Sequence, residues 1–137
     1  MITVIMGLKG MGKTKHLIEA VNNSVKESDG SVVCIEKGDK LRYDISHQAR
    51  LIDTTEYSIS DAENFLGFIA GLLAGNYDIH KIYVDSILKI IGEDLVEFGS
   101  LLAKLDVLCG THNADIYINV SGDPETAPDS VKKYLNA

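Results

Sequence analysis

Ile2-Thr3-Val4-Ile5-Met6, followed at once by Gly7-Leu8-Lys9-Gly10-Met11-Gly12-Lys13-Thr14, is the stretch on which the fold turns. The opening run is short, apolar and largely β-branched, the composition of a buried strand. Glycines then interrupt it. From Lys13 to Lys26 the apolar residues Leu17, Ile18, Val21 and Val25 recur at helical spacing, so a helix with one apolar face follows the loop. A buried strand feeding a helix through a glycine loop is the opening unit of an α/β protein.

The rest of the chain repeats that alternation. Ser28, Asp29 and Gly30 supply a stop and a turn, and Ser31 to Glu36 reads as a second strand with Val32, Val33 and Ile35 as its apolar content. Lys37 to Ser60 is polar and irregular, with a short strand expected at Leu51-Ile52. Ser60-Asp61 caps a helix that runs to about Ala74, burying Phe65, Leu66, Ile69, Leu72 and Leu73, and Gly75-Asn76 ends it. Lys81 to Asp85 is a third strand, Glu93 to Leu108 a third helix with Leu95, Phe98, Leu101, Leu102 and Leu105 inward, and Ile116 to Ser121 a fourth strand. A short last helix is expected from Asp129 to Leu135. The pattern predicts a mostly parallel sheet of four or five strands flanked by helices in three layers. No linker or repeat divides it, so residues 1–137 form a single nucleotide-binding domain on this reading.

Composition narrows the function classes. The 137 residues suffice for one domain with a real core, and 45% of them are hydrophobic, as in an ordinary globular protein. A formal net charge of -7 argues against nucleic acid as a main ligand, which needs a basic footprint. No stretch is apolar for long enough to insert in a membrane, and the opening residues lack the basic start and cleavage site of a secretory signal. Cys34 and Cys109 form no metal-type pair, and His16, His47, His80 and His112 are scattered. A reduced, cytoplasmic setting is expected.

Gly7-Leu8-Lys9-Gly10-Met11-Gly12-Lys13-Thr14 matches G-x-x-x-x-G-K-[ST] in full. Each position has a chemical reason. Glycines let the loop curl so that successive backbone N–H groups converge on phosphate oxygens. The loop opens onto a helix N-terminus, whose free N–H groups and dipole favour an anion. Lys13 is expected to reach the β- and γ-phosphates and Thr14 to place its hydroxyl on Mg²⁺. Lys9 stands one place too late for the second signature lysine that some such loops carry, and reads as a supporting charge. The expected ligand is ATP or another nucleoside triphosphate, with Mg²⁺.

Ile82-Tyr83-Val84-Asp85 resembles a Walker B strand, in which an aspartate at the carboxyl end orients the metal shell. The alternative for Asp85 is a helix cap. Many ATPases carry a glutamate directly after that aspartate to polarise the attacking water, and here Ser86 stands in its place. Glu36, ending Val32-Val33-Cys34-Ile35, is the candidate replacement; the alternative is a solvated carboxylate at a strand end.

With these motifs the chain resembles the P-loop NTPase superfamily, and within it the cores of RecA-like and PilT-like (twitching-motility and secretion) ATPases. The resemblance covers about residues 1 to 123. It implies that Lys13, Glu36 and Asp85 are catalytic, that Gly7 through Thr14 bind nucleotide, and that Thr14 and Asp85 serve the metal. It also implies that Asn119 or Ser121 senses the γ-phosphate and, where the arrangement of that group holds, that the fourth strand lies between the first and the third; the other P-loop class sets the first and third strands side by side, and sequence alone does not choose between them. Relatives of this kind commonly assemble into rings or filaments, so a homo-oligomer or a protein partner is implied as well. A weaker resemblance is to thymidine kinases, through Lys37, Asp39, Arg42 and Tyr43 and through Val120-Ser121-Gly122-Asp123. It lacks the glutamate after Asp85, the zinc cysteines and the lasso segment of that family. If an arginine finger is needed, Arg42, Arg50 or a partner must supply it. Three functions follow: a small Mg²⁺-dependent ATPase, a nucleotide-dependent regulatory module with little hydrolysis, and a small-molecule kinase.

Overall fold

A computed structural model describes residues 1–27 and 30–136. Five strands, β1 (Ile2–Gly7), β2 (Ser31–Glu36), β3 (Arg50–Asp53), β4 (Ile79–Val84) and β5 (Asp115–Ser121), form one sheet in the order β1-β5-β4-β2-β3. Every pairing is parallel. The helices are α1 (Lys13–Glu27), α2 (Ala62–Gly75), α3 (Ile87–Ile91), α4 (Leu95–His112) and α5 (Asp129–Lys132).

Parallel strands require crossovers, and the crossovers cover both faces of the sheet. The period-two alternation along the strands sorts the core accordingly. Val33, Ile35, Ile82, Val84, Ile116 and Ile118 point to one face and pack with residues of α2, α3, α4 and α5, Phe65, Ile69, Phe98 and Leu102 among them. Val32, Cys34 and Tyr83 point to the other, where Leu17 and Val21 of α1 meet Leu41, Ile45 and Ala49 from the irregular segment. The covering is unequal. One helix and a loop close the second face, and Tyr83 stacks there on Tyr117 with ring centroids 4.8 Å apart. Its hydroxyl lies 2.6 Å from Ser24 Oγ, so the buried phenol is paired.

The strands match expectation to within a residue or two at each end. The expected strand at Leu51-Ile52 is β3, pairing with β2 from Val33↔Arg50 to Glu36↔Asp53. Asp61 caps α2 by accepting from Asn64 N–H. The helix expected from Glu93 to Leu108 begins after the cap Asp94 and continues to His112, ending at Asn113 in the left-handed region. Asp129 to Leu135 is helical only as far as Lys132. The short helix α3 was not foreseen, because an apolar run of five residues has no period to read. Ser28 and Asp29 lie outside the described residues, but Gly30 has a plain reason. A Cβ there would overlap the His80 ring, so the chain can enter β2 beside β4 only with glycine.

Beyond β5 the chain returns to the free edge of β1. Val4 N–H donates to Tyr134 O at 2.8 Å, and Asn136 N–H donates to Val4 O at 2.9 Å, a parallel bridge centred on Leu135. Val131 and Tyr134 are buried against α4, with the Tyr134 hydroxyl donating to Asp106 at 3.0 Å. Among the described residues no helix is long and apolar enough to cross a membrane.

Candidate functional site

Because alternate residues share a face, Glu36 follows Cys34, Asp85 follows Tyr83 and Asn119 follows Tyr117 onto the α1 side of the sheet. All three stand at the carboxyl ends of their strands, where crevices open in parallel sheets. The loop Leu8–Gly12 leaves β1 at that same end. Gly10 and Gly12 have φ of 85° and 81°, conformations that a side chain would strain, so both glycines are required by the turn itself. Gly7 is less constrained, since a Cβ there would make only ordinary contact with Met11 and Lys13.

The first helical bond of α1 runs from His16 N–H to Gly12 O at 3.1 Å. The N–H groups of Lys13, Thr14 and Lys15 thus have no intrahelical acceptor, and the first turn carries no acid to compete for them. Lys13 folds back over the loop, its Nζ donating to Gly7 O at 2.9 Å and Leu8 O at 3.0 Å. Gly7 O also accepts from Gly122 N–H at 3.0 Å, tying the loop to the end of β5.

Thr14 and Asp85, far apart in sequence, meet. Thr14 Oγ1 lies 3.3 Å from both carboxylate oxygens of Asp85. Asn119, buried on β5, braces the pair: its Nδ2 donates to Lys13 O and to Asp85 Oδ1, each at 3.1 Å. Asp85 does not cap α3; Ser86 occupies the cap position, in the left-handed region with φ of 54°. Around these groups lies a cleft of about 430 Å³ lined by Lys9, Gly10, Gly12, Lys13, Thr14, Asp85, Ser86, Lys89, Asn119 and Ser121. Three ammonium groups and one carboxylate make it a cationic cleft on an acidic protein, suited to a polyanion.

No cluster of three or more acidic, cysteine or histidine ligands exists among the described residues. A hydroxyl and a carboxylate meeting at the floor of the cleft are oxygen donors of the kind that fit a hard cation such as Mg²⁺. Mg²⁺ is commonly held by one or two carboxylates and by the phosphates themselves. Thr14 and Asp85 are the groups that would hold it.

Glu36 is placed beside the cleft rather than in its lining. It is 3% exposed, so it is no solvated strand-end group. Its Oε2 accepts from Leu41 N–H at 2.9 Å, which draws the turn after β2 over the carboxylate. Burial raises its pKa above the usual carboxylate value; the Leu41 N–H opposes this, the Asp85 charge adds to it, the Lys40 N–H opposes it and Asp53 adds to it. Cys34, beneath it on β2, is pushed up to about 12 by burial and then by Glu36 and Asp85, so its thiol stays neutral.

The remaining candidates lie elsewhere. Arg42 sits over the Tyr43 ring, 4.9 Å from its centroid and 3.8 Å from Asp39 at the surface. Arg50 reaches Tyr57 at 3.4 Å and begins β3, at the far end of the sheet from the cleft. Lys89 was missed by sequence reading, though it is the single polar residue in Ile87-Leu88-Lys89-Ile90-Ile91, directly after Asp85 and Ser86. Such a break in an apolar run beside a strand-end aspartate is the signal that could have found it. Compared with known proteins, the chain matches no family model and no curated protein.

Proposed function

We propose that the chain binds a nucleoside triphosphate with Mg²⁺ in the cleft at the carboxyl ends of β1, β4 and β5. One observation carries the reading. The tightly turned glycine loop, the N–H groups of α1 without helical acceptors and the Lys13 ammonium converge on one cleft, with a hydroxyl–carboxylate pair at its floor. On this reading Lys13 leaves the carbonyls of Gly7 and Leu8 for phosphate oxygens, and Thr14 and Asp85 turn from each other to the metal. Backbone N–H groups from Gly10 onward cradle the phosphates, and Lys9 and Lys89 add charge at the rim.

The strand order supports a RecA-like ATPase as the first form of this function. The fourth strand of the sequence reading, β5, lies between β1 and β4, as the resemblance implies. Within it Glu36 is the group that aligns water, adjacent to Asp85 but engaged by Leu41 N–H in this state. That engagement, with Ser86 where a base commonly stands, favours a second form, a module that binds nucleotide and turns it over slowly. Calorimetric titration with ATP, ADP and GTP, with and without Mg²⁺, tests the shared claim. Triphosphate binding strengthened by Mg²⁺ and lost by at least about a hundredfold in Lys13→Ala is expected. Equal affinity in wild type and Lys13→Ala sinks the proposal.

A further inference from the structure

The segments that follow β2 and β3, together with α3, line a second cavity of about 410 Å³. Its polar wall includes Lys37, Lys89, Thr55 and Ser58, and its apolar wall the buried Ile59 and Ile90. Lys89 lines both cavities. No carboxylate is among the described residues of the lining, in a chain with a net charge of -7. Neither Lys37 nor Lys89 has an ion-pair partner among the described residues, and the hydroxyl of Ser58 has no hydrogen-bond partner among them.

The wall is built rather than incidental. Asp53, at the end of β3, accepts with Oδ1 from Gly38 N–H at 2.8 Å, Thr55 N–H at 2.9 Å and the Thr55 hydroxyl at 2.8 Å. One carboxylate thereby fixes the turn bearing Lys37 and the turn bearing Thr55 and Ser58 relative to each other, while staying out of the lining. The positive φ of Ser58, 56°, ends that second turn. Two unpaired ammonium groups and a free hydroxyl facing two aliphatic side chains match a ligand with an anionic head and a small apolar body.

We propose that this cavity is a second ligand site, for a small phosphomonoester, beside the triphosphate cleft and sharing Lys89 with it. The proposal adds to the nucleotide reading but does not require it, since Lys37 and the Asp53-built wall belong to the second cavity alone. The test uses the full chain, isotopically labelled for amide NMR. ATP with Mg²⁺ is added first, and shifts at Gly10 to Thr14 report the first cleft independently. Phenyl phosphate is then titrated into the saturated protein, or into the protein alone if ATP does not bind.

Saturable shifts at the amides of Thr55, Ser58 and Gly92, which also lines the cavity, are expected, weakened about tenfold in Lys37→Gln and also reduced in Ser58→Gly. Benzyl alcohol is expected to produce none of them. The proposal is overturned by no shifts at those amides, by shifts that neither variant changes, or by equal shifts with benzyl alcohol. Shifts confined to Gly10 to Thr14 overturn it as well, because they place the phosphomonoester in the first cleft.

Discussion

Glu36 and Asp85 end neighbouring strands, with Asp85 N–H donating to Ile35 O at 2.9 Å, and this adjacency gives Glu36 a measurable signature. Its pKa in the folded chain lies above the ordinary glutamate value, chiefly through burial. The proton is therefore held more tightly when folded. The stabilisation that protonated Glu36 provides is full below its unfolded pKa and is lost as pH rises through the folded value. Glu36→Gln keeps an acceptor for Leu41 N–H and carries no charge at any pH. The variant is expected to gain stability relative to wild type as pH rises from about 4 to neutrality. Urea unfolding across that range checks this, and a difference that does not change with pH counts against it. The acid at the strand end was legible in the sequence. Its partner was not, because Lys37 to Leu41 forms a turn with no periodicity to announce which N–H returns to the carboxylate.

At the scale of elements, the long helices were readable because their apolar residues recur at helical spacing, and the strands because they are short apolar runs bounded by turn residues. β2 shows the second case, buried on both faces with Val32 and Cys34 towards α1 and Val33 and Ile35 away from it. The loop Gly7–Thr14 was readable for another reason: its chemistry demands particular residues at fixed positions, and Gly10 and Gly12 do take the conformations that only glycine adopts freely. Segments held by single polar side chains were opaque. Asp53 joins two turns through three hydrogen bonds to one oxygen, and nothing in Arg50-Leu51-Ile52-Asp53 distinguishes it from any strand-end acid. Those bonds hold its pKa below the ordinary aspartate value, so their contribution is present above the unfolded pKa and fades as pH falls through the folded one. Asp53→Ala removes a cap and a tie together and is expected to cost about 1–2 kcal/mol at neutral pH, read from the urea midpoint. A cost indistinguishable from zero means the two turns hold without it.

For the whole molecule, the cleft gathers groups from β1, α1, β4, α3 and β5, so a ligand there bears on the stability of the entire unit. A ligand that binds only the folded state adds about 2.7 kcal/mol at a concentration a hundred times its Kd. With the usual entropy of unfolding per residue, that raises the midpoint of a chain this size by roughly 9 °C. Mg²⁺–ATP is expected to produce a rise of this order in wild type and no more than about 1–2 °C in Lys13→Ala at the same concentration, as differential scanning calorimetry measures. The general architecture was legible because alternation of strand and helix implies a parallel sheet. The strand order was not, since the residues that decide it, such as the pairs Ile2↔Ile116 and Ile82↔Ile116, are all simply apolar.

The pairing of β1 sets a timetable. Its ladder partner β5 begins at Asp115, and its other edge is closed by Tyr134 and Asn136. Most of the fold's sequence separates the glycine loop from that partner, and β1 has nothing to pair with until β5 is made. Contacts so distant in sequence form late and slowly. Docking of β1 against β5 is accordingly a late step of folding, and on the proposed reading nucleotide draws that docking to completion rather than seeding the fold.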